Sequence, residues 1–400
     1  MKTKVAVLFG GRSVEHEVSI ISGLQAFAAL DREKYDPVPV YISKDNRFFT
    51  GEHMGNIESY RHMDACLSAA TRVLLVPENG RVDLVRYPGK RFGSNVVGSF
   101  EVAIPVVHGT NVEDGTLMGM LEMLGVPYAG CDVMSSALGM DKYHMKSVLR
   151  QAGLPVLPAW SFSGKDYAKN SREIVEQAEK ACGYPMIVKP VNLGSSVGIS
   201  RAADRESLQT ALDTAVSFAP RVLVEKAVEH LREINCSVLG DSDGAWASEC
   251  EEPINTDDIL SYQDKYLRGS KGADKAKGGM SSLKRRCPAD IPAQLRDTVQ
   301  RLAVQTFQAL GCSGVARIDF LNDRESGELY VNEINTIPGS LSFYLWEAAG
   351  VSFSQLMDRL VELAFKRQRE REALTFSYDT NILDSVSLAG AKGAKGGKNG

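Results

Sequence analysis

Lys4-Val-Ala-Val-Leu-Phe9, the turn Gly10-Gly11-Arg12-Ser13, an apolar helical spacing from Ser19 to Leu30, and Pro37-Val-Pro-Val-Tyr-Ile42 open the chain and decide its fold class. A short continuous apolar run reads as a strand buried on both faces. Strand, glycine turn, amphipathic helix and second strand make a βαβ unit, which implies a parallel α/β domain. Working outward, residues 44–97 are an elaborated insertion of short polar and glycine-bearing stretches. The pattern resumes with a predicted strand over Phe100–Val107, ending at His108-Gly109, then a helix over Thr116–Leu124 and the run Val126–Gly130. From about 131 the texture changes. One helix carrying Asp141-Lys142 runs to Ala152, and another lies near Ser171–Cys182. Strands follow at Pro185–Lys189 and Gly198–Ser200, then a helix over Arg205–Phe218 and a strand over Arg221–Glu225. The last third alternates strands near 234–239, 246–251, 314–321 and 328–334 with a helix near 292–310. It closes on an amphipathic helix from Ser354 to Lys366 and somewhat beyond. The expected divisions are 1–130, 131–229, 230–370 with a mobile loop at 257–287, and a tail over 371–400, disordered from 389.

Composition removes several function classes. The 400 residues carry 46 Lys and Arg against 50 Asp and Glu, a net charge of −4. Nucleic-acid and membrane-surface proteins need a basic excess that this chain lacks. With 44% hydrophobic and 24% charged residues, wholesale disorder is excluded. No apolar run approaches the ~20 residues of a membrane span. The run behind Met1-Lys2-Thr3-Lys4 stops at Gly10, short of the ~7–15 residues of a signal peptide. Seven scattered cysteines, odd in number and never spaced Cys-x-x-Cys, fit neither a disulfide framework nor a zinc site. They predict buried thiols in a reducing cytoplasm.

Three stretches can carry chemistry. Gly314–Leu321 and Leu329–Asn335 alternate like half-buried strands around a polar turn, so a hairpin is expected. Residues two apart on a strand share a face, which aligns Arg317 with Asp319 and Glu333 with Asn335. Two carboxylates and an amide converging beside an arginine suit Mg²⁺, and a charged solvated sheet face would read the same way. The second stretch is Lys189-Pro-Val-Asn-Leu-Gly194-Ser195-Ser196-Val-Gly198, a glycine- and hydroxyl-rich loop between two strands. Such a loop can lay backbone N–H groups over phosphate, with Lys189 as a point charge, or can be an ordinary turn. The third is Gly10–Glu17, at the carboxyl end of the first strand where open parallel sheets bind ligands. There Glu15 either pairs with a substrate ammonium or caps the following helix; His108 ends another strand in the same way. The first turn lacks Gly-x-Gly-x-x-Gly spacing, which weakens a dinucleotide reading.

These pieces in this order resemble the ATP-grasp ligases, and within them the D-alanine–D-alanine ligase family, from Val5 to about Ala364. The carrying motifs are Gly10–Ser19, His108–Gly115, Met140-Asp-Lys142, Lys189–Gly198, Asp264-Lys265-Tyr266, Arg317-Ile-Asp319 and Glu333–Gly339. The resemblance implies an N-terminal α/β domain followed by two α+β subdomains that clasp ATP. It implies ATP-dependent joining of two D-alanines through an acyl phosphate, with Mg²⁺ (two ions, Mn²⁺ as an alternative), in the cytoplasm and as a homodimer. No nucleic-acid or membrane partner is implied.

Residue by residue, Lys142 and Lys189 match the phosphate lysines, with Ser196 in the loop. Glu225, Lys226, Ala227 and Val228 match the hinge that meets adenine, and Glu233 the acid that holds ribose. Asp319, Glu333 and Asn335 match the metal ligands, and Glu15 the acid that orients the first D-alanine. Ser195 and Tyr266 match the pair that closes the site, and Arg317 a cation that stabilises the reacting oxygens. His108, Lys265, Gly339, Ser342, Tyr344 and Leu345 are further substrate-binding positions, and Ser340, Ser342, Tyr344 or Lys265 can each donate to the second alanine's carboxylate. Three departures stand out. Val112 and Met118 replace smaller family residues, and the loop between Tyr266 and Pro288 is longer by about ten residues. Tyr344 also stands where many members place a serine. That last change keeps D-serine, D-lactate or another amino acid open as the acceptor. A non-catalytic binding module would lack one of the metal ligands or lysines, and all are present.

Overall fold

The computed structural model describes residues 2–194, 198–254 and 285–377. Ser195, Ser196, Lys265, Tyr266, the expected loop from 257 to 284 and the tail from 378 lie outside the described residues. Among the described residues three sheets organise the fold.

The first sheet contains β1 (Thr3–Gly10), β2 (Tyr35–Ile42), β3 (Phe48–Thr50), β4 (Thr71–Glu78), β5 (Arg81–Arg86), β6 (Val96–Phe100) and β7 (Val102–Pro105). Its order is β6-β5-β4-β3-β2-β1-β7. The predicted βαβ unit is its parallel centre, β1 lying between β2 and β7. The elaborated insertion supplies the antiparallel strands β3 to β6 on one side. The strand predicted over Phe100–Val107 is split. Glu101 alone separates β6 from β7, which occupy opposite ends of the strand order, so the sheet curls back on itself. Glu101 makes the join by accepting from Lys4 N through its carboxylate, at 2.9 Å.

The second sheet holds β8 (Ala159–Ser163), β9 (Met186–Pro190), β10 (Ser200–Ala202) and β11 (Arg221–Lys226), all antiparallel in the order β10-β9-β11-β8. Helices Ser171–Cys182 and Arg205–Val216 cover it with Ile174, Val175, Ala178, Leu208, Ala211 and Leu212, spaced as one helical face. Asp204 caps the second of these through a reciprocal bond with Ser207.

The third sheet holds β12 (Leu231–Gly240), β13 (Ala245–Pro253), β14 (Arg285–Arg286), β15 (Gly314–Asp323) and β16 (Leu329–Asn335), in the order β14-β13-β12-β15-β16. Helix Ala293–Ala309 packs on β12 and β13. The helix predicted through Asp141 is broken there. Val133–Met140 ends, Asp141 turns extended, and its carboxylate accepts from Tyr143 N and His144 N to cap Lys142–Gln151. An aspartate that caps so well outcompetes helix continuation. Met145, Leu149 and Leu154 join the core of the third sheet, while Leu356, Leu360 and Ala364 of the last helix, Phe353–Glu372, join that of the first.

Gly23 shows how closely helix His16–Ala29 seats on β1: a Cβ there would lie 2.3 Å from Phe9 Cβ. Replacing Gly23 by alanine in this helix gains ~1 kcal/mol of propensity, but overpacking against a strand Cβ that cannot rotate away costs ~1–3 kcal/mol or more. Gly23→Ala should therefore lower the denaturant midpoint; an unchanged or raised midpoint would show that the helix can lift off β1 freely.

Candidate active site

The hairpin expected from alternation is present, and its register is the foundation of the site. Asp319 pairs with Glu333 and Arg317 with Asn335. Asp319 also pairs with Asn235 of β12, which pairs with Glu251 of β13. One face of the third sheet thus carries a polar row, Glu333, Asp319, Asn235 and Glu251, across four strands. Arg317 grips Asp319 through both oxygens, at 2.7 and 2.8 Å, and Asn335 Nδ2 donates to the same carboxylate at 3.0 Å. Burial pushes the Asp319 carboxyl up and Arg317 opposes it. The Asp319 charge in turn holds Arg317 well above its ordinary value despite burial. A bidentate bridge to a guanidinium keeps the carboxylate ionised. Among the described residues no group of three or more His, Cys, Asp or Glu side chains is arranged to hold a metal. The candidate set, Asp319, Glu333 and Asn335, is two carboxylates and an amide.

The facing side of the cleft brings lysines. Lys142, first residue of its helix, donates to Leu193 O at 2.7 Å and lies 3.5 Å from Glu333 Oε2. Lys189 on β9 sits diagonally from Glu225 on β11 and pairs with its Oε1. Across the cleft Lys189 meets Asn332 Oδ1 at 3.2 Å. Asn332 is the extra residue of a bulge between the Asp319 and Phe320 pairings, and such a bulge re-aims a side chain out of the alternation. Glu225 is 1% exposed, and Lys146 Nζ lies 3.1 Å from its other oxygen. Desolvation would raise the Glu225 carboxyl, yet the two ammonium groups hold it below its ordinary range. The Glu225 carboxylate is therefore turned inward among lysines. Beyond it, Lys226 is exposed, Ala227 N is bonded to Pro185 O at 2.9 Å, and Val228 and Glu233 are half-buried.

At the carboxyl ends of β1 and β7, Glu15 occupies the N-cap position of helix His16–Ala29 but makes no side-chain capping bond. It faces Gly109, whose added Cβ would lie 3.1 Å from its Oε2, and Gly194, at 3.6 Å. Gly194 and Glu15 thus come together. His108 is a buried strut: Nδ1 lies 2.9 Å from Ile337 O and Nε2 2.9 Å from Ser22 Oγ. Burial lowers its pKa, leaving it neutral. Ser22 Oγ also accepts from Ser340 N at 3.0 Å. That bond secures a strained segment beyond half-buried Gly339, since Ser340, Leu341 and Ser342 all adopt left-handed φ of 51, 53 and 51°. Each such non-glycine residue costs ~1–2 kcal/mol.

Leu345 is buried, and Tyr344 donates its hydroxyl to Glu251 Oε1 at 3.1 Å. Asn235 and Arg285 hold the same carboxylate at 3.0 and 3.2 Å, and the Arg285 guanidinium lies 4.0 Å over the Tyr344 ring. Sequence reading missed Lys146, Asn235, Glu251, Arg285 and Asn332. Acidic residues alternating on a strand near 246–251 were the available signal for Glu251; a bulge leaves none. All seven cysteines are free, six buried and Cys287 half-buried.

Residues 4–131 match the family model described as D-ala D-ala ligase N-terminus, and 148–362 that described as D-ala D-ala ligase C-terminus. The chain is 37% identical to the D-alanine–D-alanine ligase of Thermosipho melanesiensis, over 95% of this chain and 98% of that one. It is 36% identical to that of Geobacillus kaustophilus, over 94% and 99%. Among solved structures, the VanG D-Ala:D-Ser ligase of Enterococcus faecalis superposes with a TM-score of 0.75 at 29% identity, over 91% of this chain and 100% of that one. The D-alanine-D-alanine ligase of Coxiella burnetii gives 0.74 at 28%, over 93% and 97%.

Glu113 was also missed as a functional neighbour. Its Oε2 accepts from Gly109 N at 2.6 Å. Burial, and then the charge of Glu15, push its carboxyl up to about 8. Protonated Glu113 therefore contributes stability that is complete below pH 4.5 and lost as pH climbs through about 8. Glu113→Gln, which cannot ionise, should gain in melting temperature relative to the parent as pH rises across that window. A difference that stays constant with pH would contradict the raised value.

Proposed function

The chain belongs to the D-alanine–D-alanine ligase family, and from that premise we propose how its cleft performs the reaction. The enzyme has the ATP-grasp architecture and joins two D-alanine molecules at the expense of ATP for peptidoglycan synthesis. A carboxylate resists an amine because it is anionic and has no good leaving group. Phosphoryl transfer from ATP makes it an acyl phosphate. The amine of the second D-alanine then adds to the carbonyl, and phosphate departs. Both steps gather negative charge on oxygen, which fixed cations stabilise.

One observation carries the assignment: the second and third sheets meet through Lys189 and Asn332, and Lys142, bonded to Leu193 O, reaches Glu333 beside them. That meeting supports Lys142 and Lys189 as the phosphate lysines, and Arg317 as the cation beside the reacting carbonyl. Glu15, close to the glycine-rich loop, receives the ammonium of the first D-alanine. Adenine meets the backbone of Lys226, Ala227 and Val228, with the Glu225 carboxylate behind the lysines, and Glu233 takes ribose. Ser195, Ser196 and Tyr266 close over the phosphates. Asp319, Glu333 and Asn335 would hold Mg²⁺ (two ions, or Mn²⁺ in its place), their hard oxygens lying at adjoining register positions of one sheet face. Bound there, the metal supplies charge neutralisation to the phosphoryl oxygens.

His108 joins Glu15 in substrate binding, and Lys265, Gly339, Ser342, Tyr344 and Leu345 frame the second subsite. The cluster of Tyr344, Glu251 and Arg285 there, and the likeness to a D-Ala:D-Ser ligase, support a second reading in which another acceptor is used. Among the described residues no helix is long and apolar enough to cross a membrane. Consumption of ATP supports action in the cytoplasm, and the family resemblance supports a homodimer, which light scattering would check.

With ATP, Mg²⁺ and D-alanine the protein should release phosphate and form the dipeptide. Phosphate release no greater than in the control lacking D-alanine would refute the assignment. Competition among D-alanine, D-serine and D-lactate, read as kcat/KM ratios, decides the acceptor. Glu333→Gln keeps shape but removes a charge; its rate should fall ~10²-fold or more. Its melting temperature without nucleotide should stay near that of the parent, and near-normal turnover at saturating Mg²⁺ would remove the metal assignment.

A further inference from the structure

Lys146 has no part in the chemistry described so far. It lies one turn beyond Lys142 on helix Lys142–Gln151, hence on the same helical face. Its side chain is 1% exposed, and its ammonium lies 3.1 Å from Glu225 Oε2. A lysine taken out of water costs several kcal/mol unless paired, and a hydrophobic side chain of similar length would fill that space more cheaply. Its charge is therefore the property to explain.

Counting charges supplies the explanation. Glu225 stands between two ammonium groups, Lys189 on Oε1 and Lys146 on Oε2. One anion between two cations leaves the trio with a net charge of one positive unit. Without Lys146, Glu225 and Lys189 would form a closed neutral pair, and an approaching polyphosphate would meet a dipole instead of a cation. In a buried site, where charges are weakly screened, that difference is large. Lys189 is also tethered by Asn332 from the opposite sheet, so its position depends on how strongly Glu225 draws it back.

We infer that Lys146 is a positioning residue for the nucleotide: by occupying one oxygen of Glu225 it leaves the positive charge of Lys189 incompletely neutralised and placed for the ATP phosphates. This rests on reading Lys189 as a phosphate lysine. The effect travels through Glu225, and Lys146 need not touch ATP.

Steady-state kinetics of the full-length enzyme test it. Lys146→Met should raise KM for ATP roughly tenfold or more, the scale of one charge-assisted contact, while KM for D-alanine stays near that of the parent. Adding Glu225→Gln to Lys146→Met removes the anion that captures Lys189, so the double variant should bind ATP several-fold more tightly than Lys146→Met alone. A merely structural role predicts the reverse, a double variant worse than either single change. Should Lys146→Met not fold, Lys146→Gln makes the same prediction, because its amide offers Glu225 an N–H donor but carries no charge. A folded neutral variant with KM for ATP within twofold of the parent overturns the inference, as does a double variant without recovery. Lys189→Met separates the two levels. If it leaves ATP binding intact, the phosphate-lysine reading falls and takes the inference with it. If it weakens ATP binding while the neutral Lys146 variants do not, the inference alone falls.

Discussion

The pairing of Asp319 with Glu333 sets two carboxylates side by side on one sheet face, with Asn235 and Glu251 continuing the row. Like charges held this close in a partly dry cleft repel, so the fold has to bring cations to them. Arg317 comes from the same strand, Lys142 from a helix terminus and Arg285 from the sheet edge. The second sheet meets the third through Lys189, whose ammonium donates to Asn332 Oδ1 at 3.2 Å. The cleft between them is the same electrostatic arrangement that a nucleotide with its metal would complete, since both offer charges of the missing kind.

The first sheet is tied in by a different kind of contact. His108, neutral and buried, joins Ser22 of the first helix to Ile337, and Ser22 holds Ser340 N. Three consecutive left-handed residues in this segment would not persist without such bonds. Ser340 Oγ adds another, to Gln25 at 2.6 Å. The strain is thus stored where the second amino acid is read as binding, and helix His16–Ala29, which also presents Glu15 at its start, holds it in place. Glu15 and the strained segment are consequently referenced to one helix, seated on β1 through Gly23.

Tyr344 stands in the segment proposed to receive the acceptor. A serine hydroxyl at that position would point a small donor into the site. Tyrosine instead spends its hydroxyl on Glu251 and its ring on Arg285. Glu251 is in turn part of the row that begins at Glu333, so Tyr344 is linked to the candidate metal site across one sheet face.

Patterns repeated along a single element were legible in the sequence. Continuous apolar runs identified β1 and β2, alternation identified β15 and β16, and helical spacing identified the two helices that cover the second sheet. The shared face of Arg317 with Asp319, and of Glu333 with Asn335, also followed from strand geometry alone. The break at Asp141 was not legible, because a capping aspartate and a helical one are the same letter until the chain chooses. Nor was the curled first sheet, which depends on Glu101 closing onto Lys4 at a distance of many residues. Tertiary structure alone decided that Asn332 leaves the alternation, that Glu251 stands in line with Asp319, and that Lys146 meets Glu225. Periodicity reports which side of its own element a residue occupies; it carries no information about which other element lies opposite, and charge pairing in a cleft is settled entirely by what lies opposite.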